Sequence, residues 1–232
     1  MTETRVYPDR GSLAAGLAEQ VAFELNKAIK KRGRATLAVP GGETPHDFFR
    51  SLSAQPVEWD CVSIILTDEH LDPQVPDHTN AHKVQELLLQ NLAAEAEFHA
   101  YHRDGAPDGD DAEVVLSAIT SDLQAILPID VCVLGMGADT RIASLFPQAD
   151  DLEEALGLWA PTVMIVRGHE DGNPRLTLTA PVLERARKAH VLIVGEEKKH
   201  ALREAQKIGL VEEAPVRLIL NRARATTIHY AD

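Results

Sequence analysis

Short apolar segments of about five residues alternate with longer segments of about ten to twenty residues along most of this 232-residue chain. The short segments, such as Ala35–Val39 and Val62–Thr67, are almost continuously apolar, which indicates strands buried on both faces. The longer segments repeat an apolar residue every three or four positions, which predicts amphipathic helices. Strands that alternate with helices favour an α/β fold, with a mostly parallel sheet covered by helices on both faces. We therefore predict a single Rossmann-like domain over residues 1–232.

Helix and strand limits follow from capping residues and breakers. Ser12 and Thr44 are predicted helix N-caps, and Gly33 is predicted to end the first helix. An acidic loop is predicted from Asp68, and the polar stretch Asp104–Asp111 is predicted to be a loop rather than a domain boundary. Further helices are predicted over residues 80–90, 112–126, 180–187 and 196–207, and further strands over 98–101, 130–134, 163–166, 175–179, 191–194 and 226–230.

The apolar content, the cysteines and the net charge of the chain indicate where the protein acts and which partners it does not bind. The chain is 44% apolar, enough for one substantial core, and it lacks both a signal region and an apolar run of about 18 residues, so we expect a cytoplasmic protein. Cys61 and Cys132 lie in apolar runs and are expected to be reduced core residues. The net charge of −13 argues against nucleic acid and anionic membranes as partners. An anionic ligand would need a local group of cations.

Four polar clusters directly follow predicted strands. They are Gly41–Thr44, Asp68–His70, Gly137–Asp139 and Gly195–Lys198. Ligands of parallel sheets bind outside the carboxyl ends of the strands, so we predict that the four clusters line one pocket.

The histidines outside the four polar clusters are not predicted to bind a metal or a substrate. His78, His82 and Glu86 are spaced like ligands on one helical face, but a polar helix face is the better interpretation. His99 and His102 are expected at the surface. We predict neither a metal nor a cofactor.

Gly135–Pro147 reads GMGADTRIASLFP and resembles the signature G-M-G-x-D-G-H-T-A-S-L-F-P of 6-phosphogluconolactonases. Four further segments resemble blocks of the same family in the same order. Pro40–Pro45 is similar to S-G-G-x-T-P, Asp68–His70 with Thr79 and Asn80 to D-E-R…S-N, Asn173–Thr179 to P-x-R-I-T-L-T, and Gly195–Lys198 to G-x-x-K. The resemblance spans residues 38–198 and implies the fold shared with glucosamine-6-phosphate deaminase and ribose-5-phosphate isomerase.

The resemblance also implies an activity, namely hydrolysis of 6-phospho-D-glucono-1,5-lactone to 6-phosphogluconate in the pentose phosphate pathway. We expect a monomer or small homo-oligomer, with this small-molecule sugar phosphate lactone as its partner. The residues that it assigns to the substrate and its phosphate are Gly41, Gly42, Thr44, Asp68, Asn80, Arg175 and Lys198.

One departure affects the chemistry. Thr140, Arg141 and Ile142 replace the family's Gly-His-Thr, and that histidine is the family's proposed general base. A guanidinium stays protonated, so Arg141 is expected to stabilise an oxyanion or clamp phosphate instead. The candidates for the base are Asp139, Asp68, Glu69 and His70. The alternative function is a phosphosugar-binding protein with little catalysis, acting as a sensor or enzyme partner. An isomerase or deaminase of the same fold is less favoured.

Overall fold

The computed structural model describes residues 2–71, 79–101, 112–167 and 174–232. Its strands are β1 (Thr2–Val6), β2 (Ala35–Val39), β3 (Val62–Leu66), β4 (Asp68–His70), β5 (Glu97–His99), β6 (Val131–Gly135), β7 (Val163–Arg167), β8 (Pro174–Leu178), β9 (Lys188–Val194) and β10 (Thr226–Ala231). Its helices are α1 (Arg10–Arg32), α2 (His46–Ser53), α3 (Asn80–Leu87), α4 (Ala112–Ile126), α5 (Leu152–Leu156), α6 (Ala180–Arg185), α7 (Glu196–Ala205) and α8 (Arg217–Leu220).

The main sheet has seven strands in the order β1-β10-β9-β6-β2-β3-β5, and every neighbouring pair is parallel. Helix α1 packs against β2, β6 and β10 through a stripe of buried leucine, valine and alanine side chains. This architecture confirms the predicted α/β class with a mostly parallel sheet. Among the described residues, no helix is both long enough and apolar enough to cross a membrane.

Several predicted boundaries need correction. Asp9, not Ser12, caps α1, and the Ser12 N–H donates to the Asp9 carboxylate at 2.7 Å. Gly33 ends this helix as predicted, with a φ of 76°. Helix α2 begins at His46 after Pro45, and no side chain caps it, so the predicted capping role of Thr44 is wrong. Strand β1 was not predicted, because all its residues are exposed and its sequence contains no apolar run.

The acidic segment after β3 is a strand rather than the predicted loop. It forms β4, which pairs antiparallel with β8 in a second sheet of order β4-β8-β7. Thr67 joins the two sheets, because its N–H donates to the Val39 carbonyl and its own carbonyl accepts from the Leu178 N–H, both at 2.9 Å. The predicted loop Asp104–Asp111 lies outside the described residues.

A chain of buried polar contacts crosses the β10 side of the main sheet. The Tyr7 hydroxyl lies 2.9 Å from His229 Nδ1, and His229 Nε2 lies 3.1 Å from His190 Nδ1. His190 Nε2 lies 2.9 Å from a Glu24 carboxylate oxygen. Burial, followed by the neighbouring His190, lowers the pKa of His229 from 6.5 to about 3. Burial alone would raise the pKa of Glu24, but the hydrogen bond and charge of His190 outweigh it and keep that pKa low.

His229 makes the fold sensitive to acid. Its imidazole stays neutral in the folded state down to about pH 3, whereas the unfolded chain takes up this proton near pH 6.5. Since the unfolded state binds more protons between these values, the free energy of unfolding falls as pH drops from 6.5 towards 3. The slope from this one group approaches about 1.4 kcal/mol per pH unit. In urea titrations between pH 7 and 4, His229→Gln should flatten this dependence, whereas His200→Gln, at an exposed position, should leave it unchanged. Equal slopes for the two variants would contradict the assignment.

Candidate active site

The carboxyl ends of four adjacent strands, β9, β6, β2 and β3, open onto one cavity of about 390 Å³. This is the position predicted for the four polar clusters. Most of the predicted site residues line the cavity, namely Gly41, Gly42, Thr44, Asp68, His70, Asn80, Arg141, Arg175 and Lys198.

Two predicted catalytic residues do not line the cavity. Glu69 is completely buried, and its carboxylate accepts backbone N–H groups from His70, Asn80 and Ala81 at 2.8–2.9 Å. Glu69 is therefore engaged by backbone N–H groups and is separated from the other predicted site residues that line the cavity. Asp139 is exposed, and its carboxylate accepts from the Arg141 backbone N–H at 3.2 Å and from its guanidinium at 3.0 Å. Asp139 therefore contacts Arg141 without lining the cavity itself.

Only His82 and Glu86 of the disfavoured metal site fall within the described residues. His82 Nε2 lies 3.9 Å from Glu86 as an exposed pair on α3. Within residues 2–71, 79–101, 112–167 and 174–232, no group of three or more His, Cys, Asp or Glu side chains is arranged to hold a metal. His78 and His102 lie outside these ranges.

The turn after β2 is shaped by two glycines. Gly42 has a φ of +80°, which favours glycine, and a Cβ on Gly41 would lie only 2.0 Å from the Asn80 side chain. Asn80 Nδ2 in turn donates to the Asp68 carbonyl at 2.8 Å, so the amide is fixed above the turn. Gly41 and Gly42 both line the cavity, and because they lack side chains the backbone there can approach a ligand closely.

Three cationic side chains line the cavity, namely Arg141 in the loop after β6, Arg175 in β8 and Lys198 in α7. Lys198, in the first turn of α7, is half-buried, and its Nζ donates to Thr44 Oγ1 at 3.5 Å. Burial, followed by the nearby charge of Arg141, lowers the pKa of Lys198. Arg175 lies opposite His70 in the β4–β8 pair, so their side chains share one face of the small sheet. The cavity is therefore locally cationic in a chain of net charge −13.

Asp68 is held by two hydroxyl groups. Its Oδ1 accepts from Thr67 Oγ1 at 2.9 Å, and its Oδ2 accepts from Ser144 Oγ at 2.7 Å. The Ser144 N–H donates to Thr177 Oγ1 at 3.2 Å, and both residues are buried. Neither Ser144 nor Thr177 was a predicted site residue. Their positions inside two of the family-like segments were the only available signal.

The loop that presents Arg141 has a strained backbone. The Gly137 N–H donates to the Arg141 carbonyl, and the Thr140 N–H donates to the Gly137 carbonyl, both at 3.0 Å. Thr140 has a φ of +71°, a conformation that costs energy in a β-branched residue. Its Oγ1 is buried and has no hydrogen-bond partner among the described residues.

Known proteins resemble this chain in sequence and in fold. The sequence profile of glucosamine-6-phosphate isomerases/6-phosphogluconolactonase matches residues 8–228. The chain belongs to this family. It is 40% identical to the 6-phosphogluconolactonase of Rhizobium meliloti over 94% of this chain and 93% of that protein. It is 34% identical to the 6-phosphogluconolactonase of Pseudomonas aeruginosa over 97% and 93% of the two chains.

Solved structures agree with this family membership. The crystal structure of a 6-phosphogluconolactonase from Shewanella baltica superposes with a TM-score of 0.92 at 30% identity, covering 100% of this chain and 98% of the other. A monomeric glucosamine-6-phosphate deaminase has a TM-score of 0.77 at 15% identity, over 98% and 97% of the two chains. The second comparison shows a shared fold alone.

Replacing Thr140 with glycine should stabilise the protein. Thr140→Gly removes the left-handed strain and the unpaired hydroxyl, and this gain exceeds the added flexibility of glycine in the unfolded chain. We expect the free energy of unfolding to rise by about 1 kcal/mol, measured by urea denaturation. Thr140→Ala, which removes the hydroxyl but keeps a Cβ, should recover less. A glycine variant less stable than the parent would show that the loop is not strained.

Proposed function

We propose that this protein hydrolyses 6-phospho-D-glucono-1,5-lactone to 6-phosphogluconate. The main supporting observation is the cavity at the sheet edge, which is lined by a glycine turn, three cations, two carboxylates (Glu43 and Asp68) and an imidazole. The relatives named above carry the same activity in their names and match nearly the whole chain.

The phosphate is assigned to the cationic side of the cavity. Gly41 and Gly42 allow backbone amides to approach it, Thr44 offers a hydroxyl, and Lys198 and Arg175 supply charge. A phosphate carries a charge of roughly −1.5 to −2 at pH 7, which two cations balance. The net acidic chain would otherwise repel such a ligand.

The reaction needs a base for the attacking water and positive charge near the lactone oxygen. Arg141 lines the cavity and, as a permanent cation, suits the second task. Of the candidate bases, Asp68 and His70 line the cavity. Both carboxylate oxygens of Asp68 already accept hydrogen bonds from hydroxyl groups. We therefore assign Asp68 to orienting the attacking water and His70 to accepting the proton of that water.

Replacing Lys198 tests the phosphate assignment. Lys198→Ala should raise KM for 6-phosphogluconolactone about 10- to 100-fold, because a hydrogen bond to a charged group is lost. Hydrolysis of unphosphorylated glucono-1,5-lactone should change little. Lys199→Ala is the matched control, since Lys199 pairs with Glu196 and lies over the Tyr230 ring, outside the cavity lining. Equal losses on both lactones would refute the assignment.

Replacing His70 tests the base. A general base acts only in its deprotonated form, so kcat/KM should fall on the acid side of the pH profile. His70→Gln should lower the rate roughly 10²–10⁴-fold and flatten this limb, measured in a stopped assay of fresh lactone corrected for spontaneous hydrolysis. His82→Gln, at an exposed histidine of α3, serves as control. An unchanged profile in His70→Gln would transfer the base role to Asp68.

The same assay separates catalysis from simple binding. A phosphosugar-binding protein would hold 6-phosphogluconate, measured by calorimetry, while leaving the lactone to decay at its spontaneous rate. That outcome would replace the proposed hydrolysis with a sensor or partner role.

A further inference from the structure

Phe146 connects two of the cavity's cations without lining the cavity itself. The ring is buried, and the guanidinium carbon of Arg141 lies 5.2 Å from its centroid. The guanidinium carbon of Arg175 lies 5.4 Å from the same centroid. Both distances fall within the range of about 6 Å over which an aromatic ring attracts a cation. One side chain therefore contacts two arginines that come from different parts of the fold.

The cavity needs such a contact because its cations repel one another. The charge of Arg141 lowers the pKa of Lys198, so these two groups interact in the absence of a ligand. Arginine side chains are long and lose rotamer freedom when they are fixed in one orientation. Asp139 holds Arg141 through one nitrogen at 3.0 Å, and the Phe146 ring supplies a second contact.

We propose that Phe146 is a positioning residue, which holds the guanidinium groups of Arg141 and Arg175 in the orientation that binds the anionic groups of the ligand. This inference rests on the proposed function, since it takes the ligand to be a phosphorylated sugar acid or its lactone. Phe146 acts through the two arginines and makes no contact with the ligand. Its loss should therefore weaken binding, and any change in rate should follow from the displaced Arg141.

The test compares variants with and without a ring at this position. Phe146→Leu and Phe146→Met remove the ring but keep an apolar side chain of similar size, whereas Phe146→Trp keeps an aromatic face. Titration with 6-phosphogluconate should show about tenfold weaker binding for both ring-free variants, given the usual strength of cation–π contacts. KM for the lactone should rise by a similar factor. Phe146→Trp should stay within about threefold of the parent protein.

A matched control separates positioning from packing. Phe98 of β5 is half-buried against the core and lies outside the cavity lining, so Phe98→Leu should lower the melting temperature while leaving the affinity unchanged. Double variants give the sharper result. If Phe146 acts through its partners, Phe146→Leu should weaken binding much less in an Arg141→Gln or Arg175→Gln background than in the parent.

The outcomes are distinguishable from failure of the proposed function. If the parent protein neither binds 6-phosphogluconate nor hydrolyses the lactone, the proposed function fails. If the parent does both, and the Leu and Trp variants bind equally well, the positioning role is overturned. Fully additive losses in both double variants would overturn it as well, because they would show that the ring contributes only to packing.

Discussion

The buried carboxylate of Glu69 holds together the parts of the molecule that form the cavity. It accepts the N–H groups of Asn80 and Ala81 at the start of α3, and that of His70 in β4. A carboxylate is favoured at a helix N-terminus, and three N–H donors compensate the cost of burying its charge. The fixed helix start places the Asn80 side chain over Gly41. The glycine turn, the small sheet and α3 therefore meet at one buried charge.

The cavity forms where two sheets of different kinds meet. The parallel sheet brings four loops to one edge, because the carboxyl ends of its strands all point the same way. The antiparallel sheet adds two further side chains to the cavity lining, because the pairing of β4 with β8 sets Arg175 opposite His70. Thr67 couples the two through one backbone hydrogen bond to each sheet. Neither sheet alone would enclose a ligand, so this junction is a requirement of the site.

The sequence predicted the buried strands and the shared edge because both depend on strong patterns. Continuous apolar runs marked β2 and β3, and parallel topology then placed the polar clusters together. The short strand β4 has three polar residues and no apolar signal, so it was predicted as a loop. Because β4 was predicted as a loop, the different orientations of the Asp68 and Glu69 carboxylates were not predicted. Alternation along a strand turns Asp68 and His70 to one face and Glu69 to the other, and this decides which of them lines the cavity.

The backbone path of the loop that carries Arg141 is fixed independently of the Arg141 side chain. Backbone hydrogen bonds from Gly137 to Arg141 and from Val216 to the Thr140 carbonyl fix that path, and Ile142 is fully buried beneath it. None of these contacts uses the side chain at position 141, so the path of the loop does not depend on which side chain stands there. Arg141, Arg175 and Lys198 give the cavity lining three cationic side chains. Such a site favours stabilising developing negative charge, which is often the largest single contribution to acyl-transfer catalysis. A reactive lactone depends less on a strong base than a stable ester would, so this balance suits the proposed substrate.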